Sequence, residues 1–185
     1  MRSVVLAFVV VMTLGLVHQR ASAQSTAIEG TFTAANASQQ QIDEAIESAV
    51  SQMNFVTRPI ARGRLKKTNP AYQRIRIERA QSEISIQFDE RQPVQMPVDG
   101  HAVKWTREDG EVFDVSATTD SGALLQTFKA EDGQRTNRFS LNPDPNTLTL
   151  EVTITSPRLP APVKYALTYL RQGQHKNPHL EFNRQ

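Results

Sequence analysis

Leu148, Leu150, Val152 and Ile154 take alternate positions in the chain, with Thr147, Thr149, Glu151, Thr153 and Thr155 between them. Successive side chains of an extended backbone point to opposite sides, so this run is a strand with one apolar and one wet face. Pro157, Pro160 and Pro162 interrupt pairing across the connection Ser156 to Pro162, and Val163, Tyr165, Leu167 and Tyr169 then resume the alternation up to Arg171. The same period of two reaches back to Tyr72. Ile75 shares a face with Ile77, Ile84 with Ile86 and Phe88, Val103 with Trp105, and Phe113 with Val115 and Ala117. Weaker alternation covers Leu124 to Phe128 and Asn137 to Leu141. Between these runs stand Asp99-Gly100, Asp109-Gly110, Asp120-Ser121-Gly122, Asp132-Gly133 and the stretch Asn142 to Asn146. Asp and Gly tolerate the positive φ of tight reversals. Reversals spaced about ten residues apart predict an antiparallel meander without crossovers.

Before Tyr72 the pattern differs. Ala27 to Ala34, with Gly30-Thr31-Phe32-Thr33, alternates briefly and predicts a first strand. Ser38 and Gln41 have the spacing of a capping box, and Ile42, Ala45, Ile46, Ala49, Val50 and Met53 follow at the spacing of one buried helical stripe. Asp43, Glu44 and Glu47 lie early on the opposite face, where the helix dipole favours acidic groups. A second short helix runs from Thr57-Arg58-Pro59 to Lys66 or Lys67, weakened by Gly63 and ended by Asn69-Pro70.

Together these elements give about nine or ten strands, enough that an open sheet curls or splits. Closure removes exposed edges and hides the single apolar face of each strand. A sandwich of two sheets buries one face as well, but its long connections are not visible after Tyr72. The expected fold is mainly β: an antiparallel up-and-down barrel of about nine or ten strands with a helical lid between strands 1 and 2. The stripe of Ser38 to Lys67 is expected to face inward over the mouth.

Outside the barrel, Met1-Arg2, the apolar run Val4 to Val17 and Ala21-Ser22-Ala23 have the form of a signal peptide over residues 1–23. The chain then divides into a barrel domain, 24–171, and a disordered polar tail, 172–185. Export places the protein in the periplasm or the medium. There is no cysteine, which excludes disulfides, thiolate metal sites and a lipoprotein anchor. Without Arg2 and Arg20 the chain has 19 basic and 19 acidic residues, a balance that argues against nucleic-acid binding.

A Gly30-x-Phe32 first strand, a meander and a last strand ending in Arg171 resemble the lipocalin-like, or calycin, superfamily of small-ligand barrels. Those proteins place Gly-x-Trp on the first strand and a basic residue on the last, packed together to close the barrel's end. The resemblance gives Gly30, Phe32 and Arg171 that closing role, with Phe32 where tryptophan stands. No helix follows the last strand as in typical lipocalins. The helical segment between the first two strands is similar to that of fatty-acid-binding proteins, where it lids the mouth. Their last-strand Arg-x-Tyr grip occurs here in reverse, as Tyr169-Leu170-Arg171. Secreted bacterial lipocalin-like proteins are the nearest group, and a small ligand held in the lumen is what the likeness implies.

Candidate chemistry points away from catalysis. Only His101 of the four histidines falls in predicted folded structure, and it follows an Asp-Gly turn with no visible partners for a triad. His175, His179 and Glu181 are separated by Pro178 and make a poor metal set, so neither metal nor cofactor is expected. Between Glu47 and Glu78 there is no acidic residue. Arg58, Arg62, Arg64, Lys66 and Lys67 in that gap are candidates for the head group of an amphiphile or for an anionic membrane surface, or else form a solvated face. By parity the lumen candidates are Ile75, Ile77, Ile84, Ile86, Phe88, Trp105, Phe113, Val115, Phe139, Tyr165 and Tyr169. A barrel of more than eight strands leaves room for a guest among them. The expectation is a non-enzymatic binding protein for a hydrophobic or amphiphilic small molecule. The alternatives are an open-barrel lipid or lipoprotein carrier of the periplasm, a structural barrel with a filled core, and a hydrolase or isomerase whose polar site only the fold assembles.

Overall fold

The computed structural model describes residues 28–173. The expected signal peptide, residues 1–23, and nearly all of the expected polar tail, including His175, His179 and Glu181, lie outside the described residues. Ten strands and two helices follow in the order β1 (Gly30–Ala34), α1 (Gln39–Val50), α2 (Thr57–Thr68), β2 (Arg74–Ala80), β3 (Glu83–Phe88), β4 (Val94–Pro97), β5 (Val103–Thr106), β6 (Val112–Asp120), β7 (Ala123–Ala130), β8 (Gly133–Leu141), β9 (Thr147–Thr155) and β10 (Val163–Arg171). All form one antiparallel sheet in the order β4-β3-β2-β1-β10-β9-β8-β7-β6-β5. The sheet curls into a nearly closed barrel because β1 pairs with both β2 and β10. A seam remains between β4 and β5, which share no ladder. Beside it, the Gly100 N–H donates to the carbonyl of Ala117 at 3.0 Å.

Inward positions read off by alternation are the buried ones. In β9 these are Leu148, Leu150 and Val152, and in β10 Val163, Tyr165, Leu167 and Tyr169. Sequence alternation passes over β4, because Val94-Gln95-Met96-Pro97 is too short to declare a period. The two reversals that flank β3 also lack glycine: Gln81 and Asp89 adopt φ of 51° and 50°. Asp89 is held there by function of its side chain, whose Oδ1 accepts the N–H groups of Gln73 and Arg74, each at 2.8 Å.

Gly133 corrects the turn reading. It is the first residue of β8 and needs no positive φ; a Cβ there would lie 2.7 Å from the Thr155 carbonyl oxygen, so close strand approach requires the glycine. Gly30 is required on both counts, with φ of 120° and the Arg171 side chain passing within 2.6 Å of where a Cβ would stand.

Helix α1 starts after Ser38, but the expected capping box does not form. Ser38 makes no side-chain cap bond, and Gln41 Nε2 donates instead to the Ala166 carbonyl on β10. Nor do acidic residues fill its first turn, which is Gln39 to Ile42. Its stripe is deeply buried: Ile42, Ile46, Ala49 and Val50 belong to the same core as Phe32, Ile75 and Tyr169. Helix α2 buries no residue fully. The two helices are therefore unlike, one being core and the other a cover.

Candidate ligand site

Hairpin turns at one barrel end join β2–β3, β4–β5, β6–β7 and β8–β9, and the interior there is solid. Ile75, Ile77, Ile84, Ile86, Met96, Leu124 and Phe139 are all less than 2 % exposed and fill it. At the other end, beneath α2, is a cavity of about 780 Å³. Its walls are the mouth-proximal inward residues of successive strands: Phe88 on β3, Val94 on β4, Trp105 on β5, Phe113 on β6, Phe128 on β7, Arg135 and Asn137 on β8, and Ile154 on β9. Ile60, Ala61, Arg64, Leu65 and Lys67 of α2 form the roof.

One wall is aromatic. Trp105, Phe113 and Phe128 pack with ring centres 5.5 to 6.1 Å apart, two of the three contacts being edge to face. Tyr72 and Phe88 form a second pair at 4.6 Å. Such rings present large rigid apolar faces at small entropic cost.

The adjoining wall, on β8 beside Phe128 of β7, is polar and hydrogen-bonded. Arg135 Nε donates to Asn137 Oδ1 and its Nη1 to Asn69 Oδ1, both at 2.8 Å. Asn137 Nδ2 continues the chain to Gln126 Oε1 at 3.0 Å, and both amides are buried. Asn69, the residue that ends α2, donates back to the Leu65 carbonyl at 2.8 Å. Tyr165 makes a long contact from its hydroxyl to Asn69 Oδ1 at 3.4 Å. Burial pushes the Tyr165 ionisation upward, so this hydroxyl stays a donor at neutral pH.

Sequence candidates divide between floor and wall. Phe88, Trp105 and Phe113 line the cavity, whereas Ile75, Ile77, Ile84, Ile86, Val115, Phe139, Tyr165 and Tyr169 are buried core outside its lining. The Tyr169 hydroxyl is bonded to the Tyr72 carbonyl at 3.1 Å. Among the basic candidates only Arg64 and Lys67 reach the cavity. Arg58 donates twice to the Met53 carbonyl, Arg62 pairs with Glu47 at 2.5 Å and Lys66 with Asp43 at 2.9 Å, so these three fasten α2 to α1 and to the loop before it. Phe128 and Arg135 were not singled out from sequence, although the alternation that yields Phe139 also turns both inward. A polar side chain at an apolar parity position was the missed signal.

At the solid end, Phe32 pairs with Arg171 across β1 and β10, and the guanidinium lies 4.7 Å from the ring centre. His101 is exposed on the β4–β5 turn and, among the described residues, pairs with Asp99 at 2.9 Å.

No family model matches the chain, and no curated protein sequence does. Solved structures do share its fold. A SAHS protein from Ramazzottius varieornatus aligns over 78% of this chain and 95% of its own length at 10% identity, with a TM-score of 0.56. Fatty-acid-binding protein 1 of Echinococcus granulosus aligns over 79% and 98% at 12% identity and 0.52. The REP1-NXSQ fatty acid transporter aligns over 78% and 96% at 13% identity and 0.51. With ten antiparallel strands nearly closed and two helices between the first and second, the chain has the fold of the calycin-type, fatty-acid-binding-like β-barrels.

Proposed function

We propose that the protein is a non-enzymatic carrier that holds a hydrophobic or amphiphilic small molecule in the cavity under α2. The observation that carries this reading is the cavity itself. Its volume of about 780 Å³ falls within the roughly 300–1,000 Å³ of small-molecule sites, and its walls combine five aromatic rings with a few fixed polar groups. Phe88, Trp105, Phe113 and Phe128 hold the apolar body of the guest. Barrels of the same fold include a fatty acid transporter and a fatty-acid-binding protein, which agrees with such a guest.

Native mass spectrometry of the purified protein tests the reading, supported by displacement of an environment-sensitive dye. Binding of one dye per chain, lost in Phe128→Arg while the melting transition is kept, is the expected result. A protein that takes up neither dye nor lipid-like mass would return the filled structural barrel as the better account.

A second observation favours membrane contact during loading. Phe55 and Ile60 are 87% and 69% exposed, and Arg64 and Lys67 continue the same end of the molecule. Exposed apolar groups beside cations suit an anionic lipid surface. Flotation with vesicles containing anionic lipid, but not with neutral vesicles, is expected, and Phe55→Ser should abolish it. The leader over residues 1–23 would deliver the protein to the periplasm or medium, which N-terminal sequencing of the exported form checks.

A further inference from the structure

Closure of the sheet stops between β4 and β5, and two prolines supply the reason. The Val98 N–H donates to the Ser82 carbonyl, so this is a hydrogen-bonded pair, and by alternation Ile84 with Met96 and Ile86 with Val94 are bonded too. The backbone of Pro93, Gln95 and Pro97 therefore faces the seam, and two of these three positions have no N–H. On the other side the Arg107 N–H donates to the Glu111 carbonyl. Trp105 and Val103 then bond to β6, while Lys104 and Thr106 turn their N–H and C=O toward the seam. A ladder across it would find a single donor on β4, with proline rings where the others belong. Such prolines commonly guard a sheet edge against strands of other chains. Here the edge faces a strand of the same barrel.

The seam is pinned at one end. Toward the solid end, the Gly100 N–H donates to the Ala117 carbonyl at 3.0 Å, β4 approaches β6, and Gln126 Nε2 contacts Met96 Sδ at 3.8 Å. Toward the mouth, among the described residues, no hydrogen bond or ion pair joins the β3–β4 turn to the β5–β6 turn. This free end borders the cavity, because Val94 of β4 and Trp105 of β5 both line it. Between those strands the wall is made of side chains alone, so parting them breaks no backbone hydrogen bond. We propose that Pro93 and Pro97 are specificity-determining residues: by keeping the mouth end of the seam unpaired, they let the wall between Val94 and Trp105 part around a wide guest. Rigid fused-ring lipids are then accepted beside slender chains. This inference rests on the ligand-binding reading above, and it adds the girth of the guest that the barrel admits.

The test uses the full chain and two neutral probes, dodecanol and the fluorescent sterol dehydroergosterol. Trp105 is the only tryptophan, so a shift of its emission reports dodecanol and energy transfer from it reports the sterol. Without a probe, the amides of Lys104 and Thr106 are expected to exchange at close to the rate of an unstructured chain. Strong protection there means that a ladder exists, and overturns the proposal before any variant is made. Pro93→Val/Pro97→Val restores both donors. It is expected to slow exchange at Lys104 and Thr106 and to weaken the sterol about tenfold, the scale of one or two hydrogen bonds broken on widening. Dodecanol should bind as before, which shows that the variant is folded. Pro93→Val alone, nearer the mouth, should give the larger part of both effects. Seam protection without loss of sterol, no gain of protection in the double variant, or dodecanol bound and sterol refused by the unaltered protein each overturns the proposal and leaves the carrier reading intact. Failure of both probes to alter Trp105 emission overturns the carrier reading, and this one with it.

Discussion

Phe32 and Arg171 stand opposite each other in the β1–β10 ladder, and the arginine both covers the phenyl ring and donates to the carbonyls of Glu29 and Pro145. One side chain thus ties the first strand, the last strand and the β8–β9 turn together. Arg171→Ala should cost about 2 kcal/mol in urea denaturation, the sum of a partly shielded cation-ring contact and two charged hydrogen bonds. Arg171→Lys should recover less than half, because an ammonium cannot lie flat on the ring while donating sideways. Ligand affinity should change little in either variant, since the cavity lies at the far end.

The two helices should respond oppositely to truncation. Ile46 is fully buried in the core, so Ile46→Ala is expected to cost about 2–5 kcal/mol by loss of packing and creation of a hole. Ile60 is mostly exposed, and Ile60→Ala should stay within about 0.5 kcal/mol in the same melts. By this reasoning, deleting α1 would unfold the barrel, whereas a lid made of both helices would have allowed it to survive.

Acid should detach α2 from α1. The Lys66 ammonium, followed by Gln39, holds the Asp43 carboxyl below its ordinary value of 3.8. A depressed folded value means that the pair stabilises fully above the ordinary value, and that its contribution is lost as pH falls through the lower one. Exchange of α2, corrected for intrinsic rates, should therefore hold steady down to about pH 5 and rise only below the carboxylate range. Asp43→Asn should lack that acid step and show the faster exchange at neutral pH already.

Two glycines should behave differently when replaced by alanine. At Gly133 the new Cβ meets the Thr155 backbone, and a loss of about 1–3 kcal/mol is expected. At Gly63, inside α2, nothing lies within 4 Å, and helix propensity should add about 1 kcal/mol locally. The measurable result is slower exchange of α2 and slower dye entry, with the global melt almost unmoved.

Much of the fold is legible in the chain because alternation is a local signal. The runs from Ile75 onward and both helices can be read without coordinates, and the resemblance to lipocalin-like barrels implies the closing pair Phe32 and Arg171. What escapes is whatever depends on partners distant in sequence. The stripe of α1 declares that it must be buried, but not that β10 is the strand it packs on. Arg62 and Lys66 look available in a stretch without acids, yet Glu47 and Asp43 of the preceding helix take them. Arg135 looks like a defect in a strand until the barrel brings Asn69 to it, 66 residues away.

The pairing of β1 with β10 also orders events in time. Residues 163–171 are the last of the ten strands to be synthesised, and the Gln172 N–H donates to the Thr31 carbonyl only once they are present. Until then β1 to β4 form half a sheet whose outer strand carries unanswered donors and acceptors, and long-range closure is slow. A nascent or truncated chain ending before Val163 thus leaves the edge of β1 open to another chain's strand.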